Sequence, residues 1–155
     1  MSREISAEYI AGFFDGEGSV SIHKGNRLKP NDWRMAVQIS QVDGPVLFFL
    51  HGKFGGYLKN ITRKTNFVKS AQPIWRWQVS LRKAEAFLRW IDPHVVIKRK
   101  QVDLALKFMK SRKPQARPWK HDEGDTRGYE AMALEMRKNN RKGGNHDSNA
   151  EPSIH

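Results

Sequence analysis

An α+β fold is predicted, with an antiparallel sheet covered by helices on one face. Three observations carry the prediction. Two pairs of segments alternate apolar and polar residues with period two, and Gly-, Pro- and Asn-marked loops punctuate them. Stretches of helical periodicity stand before, between and after the pairs. The order is therefore helix, two strands, helix, two strands, then helices.

The first helix is expected to start near Ala7, with Ser6 as its N-cap and Glu8 in its first turn. Tyr9, Ile10, Phe13 and Phe14 form its apolar stripe. Gly12 and Gly16 lie four apart on one face. Glycine costs a helix stability relative to alanine, so two of them point to a surface that another backbone approaches closely, such as a second copy of this helix. From Gly18 to Lys24, Val20 and Ile22 face one side while Ser19, Ser21 and His23 face the other. After loop signals at Gly25-Asn26 and Lys29-Pro30-Asn31-Asp32, Trp33, Met35, Val37 and Ile39 alternate with Arg34, Ala36, Gln38 and Ser40. These segments read as a hairpin with one apolar face.

Asp43 is expected to cap a short helix with Pro45 in its first turn. Val46-Leu47-Phe48-Phe49-Leu50 is apolar nearly all round, so this helix should be buried and end near Gly52. A second hairpin runs from residues 56–63 to residues 74–80, with Trp75, Trp77 and Val79 on one side and Ile74, Arg76, Gln78 and Ser80 on the other. Ala84, Phe87, Leu88 and Ile91 give a helix stopped at Asp92-Pro93. Val102, Ala105, Leu106 and Met109 mark another from about Lys98. Beyond a loop of Pro114, Pro118 and Gly124, Tyr129, Met132, Ala133 and Met136 share a face of a last helix. Residues 1–138 read as one domain, and residues 139–155, with Gly143-Gly144-Asn145, as a disordered polar tail.

The chain has 155 residues and a formal net charge of +12, from 28 Lys and Arg against 16 Asp and Glu. A folded chain this basic binds polyanions, because each phosphate it neutralises releases condensed counterions. No apolar run approaches a transmembrane length, and Met1-Ser2-Arg3-Glu4-Ile5 lacks the apolar core of a secretory signal. An intracellular protein of a bacterial cytoplasm or organelle matrix is expected, with no membrane partner. There is no cysteine, which excludes disulfides and thiolate-bound zinc, and no two of the six histidines lie within a helical turn. Any metal is expected to be hard and oxygen-bound.

The uncovered face of the sheet would carry Ser21, His23, Arg34, Gln38, Lys59, Arg63, Arg76 and Gln78. In a major groove, Arg and Lys pair with guanine and Gln with adenine. Any antiparallel sheet has one solvated polar face. Four strands sharing the bias, in a chain this basic, point instead to a face that bonds phosphates or base edges. Tyr57 and Ile61 fall on that same side, which mere solvation does not require. Lys107, Lys110 and Arg112, on a later helix, are expected to meet phosphates.

Asp15 and Glu17 stand at the negative end of the first helix, where a divalent cation would compensate them. A solvated acidic helix end with a glycine cap accounts for them equally well on physics alone. Ile10 to Gly18, I-A-G-F-F-D-G-E-G, resembles the signature of the LAGLIDADG homing endonucleases and matches it at Ala11, Gly12, Asp15, an acid at 17 and Gly18. The motif occurs once. The resemblance covers residues 5 to about 110 and implies an αββαββα fold whose four-stranded antiparallel sheet forms a saddle over DNA. For a single-motif chain it implies a homodimer, packed through Ala11, Gly12 and Asp15, on a long and roughly palindromic target.

The resemblance further implies that Glu17, helped by the Gly16 carbonyl, holds Mg²⁺ ions shared across the dimer axis, and that Asp15 caps a helix of the partner. It implies Gln41 as the residue that positions the attacking water and Lys98 as the one that stabilises the phosphate transition state. A strand-end polar residue and a helix N-terminal surface lysine are the ordinary alternatives. Relatives often place a further basic residue after the Gln41 equivalent, where this chain has Val42-Asp43-Gly44-Pro45. The implied activity is site-specific, Mg²⁺-dependent hydrolysis of both strands of a duplex. The alternatives are a catalytically silent maturase with intron RNA as partner, a DNA-binding regulator, or, outside the resemblance, a basic structural protein of ribosomes or chromatin.

Overall fold

The computed structural model describes residues 4–25, 32–42, 44–62, 73–112 and 123–144. The expected cap at Asp43, Arg63, and the loop prolines 114 and 118 lie outside the described residues. Helix α1 (Ala7–Glu17) leads into strands β1 (Gly18–Lys24) and β2 (Trp33–Gln41). Helix α2 (Gly44–Phe54) leads into β3 (Tyr57–Asn60) and β4 (Trp75–Ser80), and α3 (Leu81–Ile91), a 3₁₀ turn (Asp92–His94), α4 (Arg99–Ser111) and α5 (Glu123–Gly144) complete the described elements. The sheet is antiparallel throughout, in the order β1-β2-β4-β3.

Local chemistry sets the boundaries of α1. The Ser6 hydroxyl accepts from the Tyr9 N–H at 3.3 Å, which satisfies one of the free donors at the helix start. At the other end helix becomes strand without a loop. A side chain at Gly18 would collide with the Phe14 ring and sit 2.8 Å from its carbonyl oxygen, so only glycine lets β1 leave the helix so tightly. The turn from α2 into β3 has a different requirement. Gly55 and Gly56 take φ of 71° and 92°, in the region that side chains rarely enter.

The strand register explains the core. Val20, Val37 and Val79 stand in one row across the sheet, and Gly18, Ile39, Trp77 and Leu58 in the next. Apart from half-buried Leu58, all are buried beneath the helices. Trp77 sits at the centre, with its ring edge-on to Phe87 at 5.1 Å and its indole N–H donating to the Gly55 carbonyl at 2.8 Å. A buried indole is tolerated because that one polar atom is bonded.

Two expectations are corrected here. Helix α2 continues past Gly52 to Phe54, because Phe54 joins an aromatic group with Trp77, Phe87 and Trp90. It is not buried all round: Phe48 remains 46% exposed and packs edge-on against Trp75 at 5.0 Å. The last helix also outlasts its expected end. Tyr129, Ala133 and Met136 are buried, as their spacing predicts. Residues 139–144, read from sequence as part of the tail, still belong to α5. Asn140 donates to the Val20 carbonyl on edge strand β1 at 2.9 Å, and Gln101 donates to the Asn139 carbonyl at 3.3 Å. Residues 145–155 lie outside the described residues.

Candidate nucleic-acid interface

The face of the sheet away from the helices is built in rows. His23 pairs with Arg34; Ser21 aligns with Ala36 and Ser80; Ser19 aligns with Gln38, Gln78 and Tyr57; Ser40 aligns with Arg76 and Lys59. Directly opposed residues share a face, so these side chains form one surface. None of the four described strands contains an acidic residue. Tyr57 is 59% exposed there, as large an apolar surface as a base or sugar could cover.

Some of these side chains are already partly engaged. Asp32, just before β2, accepts from Arg34 Nε and Nη2 at 3.0–3.2 Å, which leaves only part of that guanidinium free. The Ser21 hydroxyl lies 3.2 Å from His23 Nδ1. Arg76 Nε donates to the Ser40 hydroxyl at 3.4 Å, so its terminal amino groups have no partner among the described residues. Ile61 is half-buried just past β3 and closes the hairpin through its N–H to the Ile74 carbonyl at 2.7 Å.

Sequence reasoning missed Lys83. It lines a shallow pocket with Gly56, Tyr57, Gln78 and Ser80, although it belongs to α3. Strand β4 runs straight into α3 through Leu81, whose φ is 53°, so the first turn of the helix stays at the end of the sheet. The absence of any loop signal between Ser80 and Leu81 was the available clue. Lys107 and Lys110 lie on the exposed side of α4, which packs against the covered side of the sheet. They therefore belong to a different surface from Arg76 and Gln78.

The acidic end of α1 adjoins the sheet. Gly16 and Glu17 are exposed, and Glu17 is the last helical residue before β1. Asp15 is only 8% exposed and serves its own chain, which corrects the expectation that it caps a helix of a partner. Its carboxylate accepts from the Val96 and Lys98 backbone N–H groups, each at 2.9 Å, where α4 begins. Lys98 Nζ in turn donates to the Asp15 carbonyl, satisfying an acceptor near the end of α1. Burial pushes the Lys98 ammonium below the ordinary lysine range, and the nearby Asp15 and Glu17 carboxylates oppose that shift. Glu17 and Lys98, far apart in sequence, are thus close enough to feel each other's charge.

Gln41 stands at the end of β2, with its side-chain oxygen accepting from the Val42 N–H at 2.7 Å. Its amide NH₂ remains the group available for other contacts. Ala11 is fully buried in the core of its own chain. Gly12 and Gly16, by contrast, face outward, with nothing within 4 Å of where a side chain would begin. Among the described residues, no group of three or more His, Asp or Glu side chains is placed to hold a metal ion. No helix of the described residues is long and apolar enough to cross a membrane.

The role of Asp15 gives a direct expectation. Asp15→Asn keeps the volume but loses one charged acceptor beneath two N–H groups, at a cost of about 2–3 kcal/mol. Urea unfolding measures it; a loss below about 0.5 kcal/mol would show that the carboxylate holds nothing in place.

The sequence matches no protein-family model and no curated protein. Solved structures are similar. The homing endonuclease I-CvuI in complex with a DNA target aligns with a TM-score of 0.63 at 17% identity, over 86% of this chain and 80% of that one. The archaeal intron-encoded homing endonuclease I-Vdi141I, complexed with DNA, aligns with a TM-score of 0.64 at 20% identity, over 86% and 82%. The LAGLIDADG homing endonuclease I-GzeII, in complex with a DNA target, aligns with a TM-score of 0.59 at 19% identity, over 86% of this chain and 44% of that one. The fold is that of the LAGLIDADG homing endonucleases.

Proposed function

We propose that this chain is a single-motif LAGLIDADG homing endonuclease, which binds a long, pseudo-palindromic duplex as a homodimer and hydrolyses both strands with Mg²⁺. The observation that carries the proposal is an exposed acid, Glu17, beside a partly buried lysine, Lys98, at the margin of a sheet face whose strands hold no acid. A face of that composition suits phosphates and base edges, while the Glu17 carboxylate suits a hard cation that can bridge to phosphate.

The donor set fits Mg²⁺ only in part within one chain. Glu17 offers one carboxylate and Gly16 a backbone carbonyl near the helix end. Mg²⁺ needs little more from protein, since it keeps several waters and takes one or two carboxylates plus substrate phosphates. A second copy would supply the second carboxylate, and the bound metal would polarise the scissile phosphate and lower the pKa of water. The chain's own part is electrostatic. Lys98 is tethered to the Asp15 carbonyl and so presents a fixed positive charge near Glu17, where negative charge develops on phosphate. Gln41 would hold the attacking water through its free amide.

The direct test is cleavage of the host gene lacking the inserted intron, with and without Mg²⁺; no double-strand cut in either condition overturns the proposal. Recognition has its own test. Arg76→Ala should cost about 1–3 kcal/mol in binding and relax sequence preference at one base pair in each half-site, as loss of a bidentate contact does. The readout is a cleavage profile over single-base target variants. A profile identical to that of the unaltered protein would remove Arg76, and the sheet face with it, from recognition.

A further inference from the structure

The helical layer carries a second electropositive site. A groove of about 470 Å³ lies between α3 and α4, lined by Arg82, Glu85, Ala86, Arg89, Met109 and Arg112. Its size falls within the roughly 300–1,000 Å³ of small-ligand sites. Arg89 is committed to Glu85, with Nε and Nη2 donating to one carboxylate oxygen at 3.0 and 2.8 Å. The side chains of Arg82 and Arg112 have no partner among the described residues. Arg82 also stands in the first turn of α3, the positive pole of the helix, which holds no acidic residue. An anion in the groove would meet two guanidinium groups with donors to spare.

The lining distinguishes between kinds of anion. A DNA duplex presents phosphates and deoxyriboses to a groove, and neither can donate to the Glu85 carboxylate in the wall. An unpaired nucleotide presents two different ends. Its flanking phosphates suit Arg82 and Arg112, and its base suits the apolar surface of Ala86 and Met109, with Arg89 able to lie against the ring. The second oxygen of Glu85 can then accept from an exocyclic amino group, which cytosine carries and uracil lacks.

We propose that the α3–α4 groove binds an unpaired, amino-bearing nucleotide of a single-stranded nucleic acid, through Arg82 and Arg112 on its phosphates and Glu85 on its base. This site is separate from the sheet and does not depend on cleavage. The test is fluorescence anisotropy on the full chain in EDTA, with labelled oligo-C and oligo-U, each as RNA and as DNA, and with a labelled duplex as reference. The chain should prefer oligo-C. The double variant Arg82→Gln, Arg112→Gln should bind single strands about tenfold more weakly, and the slope of log affinity against log salt should flatten by about 1.4, as for two single-strand phosphate contacts. Duplex binding should stay within about twofold, which also reports that the variant is folded.

Glu85→Gln should narrow the preference for C over U, because the amide can also donate to uracil. Either sugar satisfies the proposal, and a preference for RNA would assign a 2′-hydroxyl contact. Unchanged single-strand affinity and salt slope in the double variant would overturn it. So would an equal loss for duplex and single strand, or a base preference that Glu85→Gln leaves intact.

Discussion

Glu17→Gln is expected to abolish double-strand cleavage while leaving specific duplex binding within a fewfold of the unaltered protein. The substitution preserves size and hydrogen bonding at the end of α1 and removes only the negative charge that would hold a divalent cation. Glu17 is exposed and its side chain makes no hydrogen bond to the described residues, so stability should hardly change. The open sheet face, with Arg76, Gln78 and Lys59, is untouched, so recognition should persist. Cleavage and gel-shift assays on one target separate the two effects. Undiminished cutting would remove Glu17 from the chemistry.

Gly12→Leu should convert a dimer into folded monomers and eliminate cleavage with it. The single chain has room for the leucine, because nothing lies within 4 Å of the position its first side-chain atom would take. Leucine is also the better helix former by nearly 1 kcal/mol, so a monomer should be no less stable. Only a second backbone packed against Gly12 and Gly16 would meet the new side chain. Sedimentation and thermal unfolding together give the answer: monomers with an undiminished midpoint support association through this helix face. A dimer that tolerates the substitution would place the contact elsewhere.

Local signals in the chain translated well into structure. The Ser6 cap, the loopless exit at Gly18, and the alternation that buries Val20, Met35, Val37, Trp77 and Val79 all depend on neighbours a few residues away. The open-face residues followed from the same alternation. What stayed hidden was non-local. Nothing near Asp15 in sequence reveals that Val96 and Lys98 donate to it, so its duty within its own chain was unreadable. The central position of β4 beside β2 is likewise decided by packing rather than by order along the chain. Phe48 escaped prediction because Trp75 covers it only in part at the surface. For Glu17, Gln41 and Lys98, periodicity gave no chemical role; the resemblance alone suggested one, and their roles remain part of the proposal.

The bond from Asn140 to the Val20 carbonyl has a consequence for aggregation. Strand β1 is one margin of the sheet, and a bare margin is a template on which other chains can add strands. Helix α5 packs along β1 and spends a side-chain amide on its backbone, so growth from that margin is blocked from within. The other margin, β3, is only four residues long and carries exposed Lys59. Short length and a lysine discourage strand addition there without any covering helix. A chain cut back to residue 138 would keep its sheet and most of α5 but lose the Asn140 amide, leaving the Val20 carbonyl on β1 open to a strand from another copy.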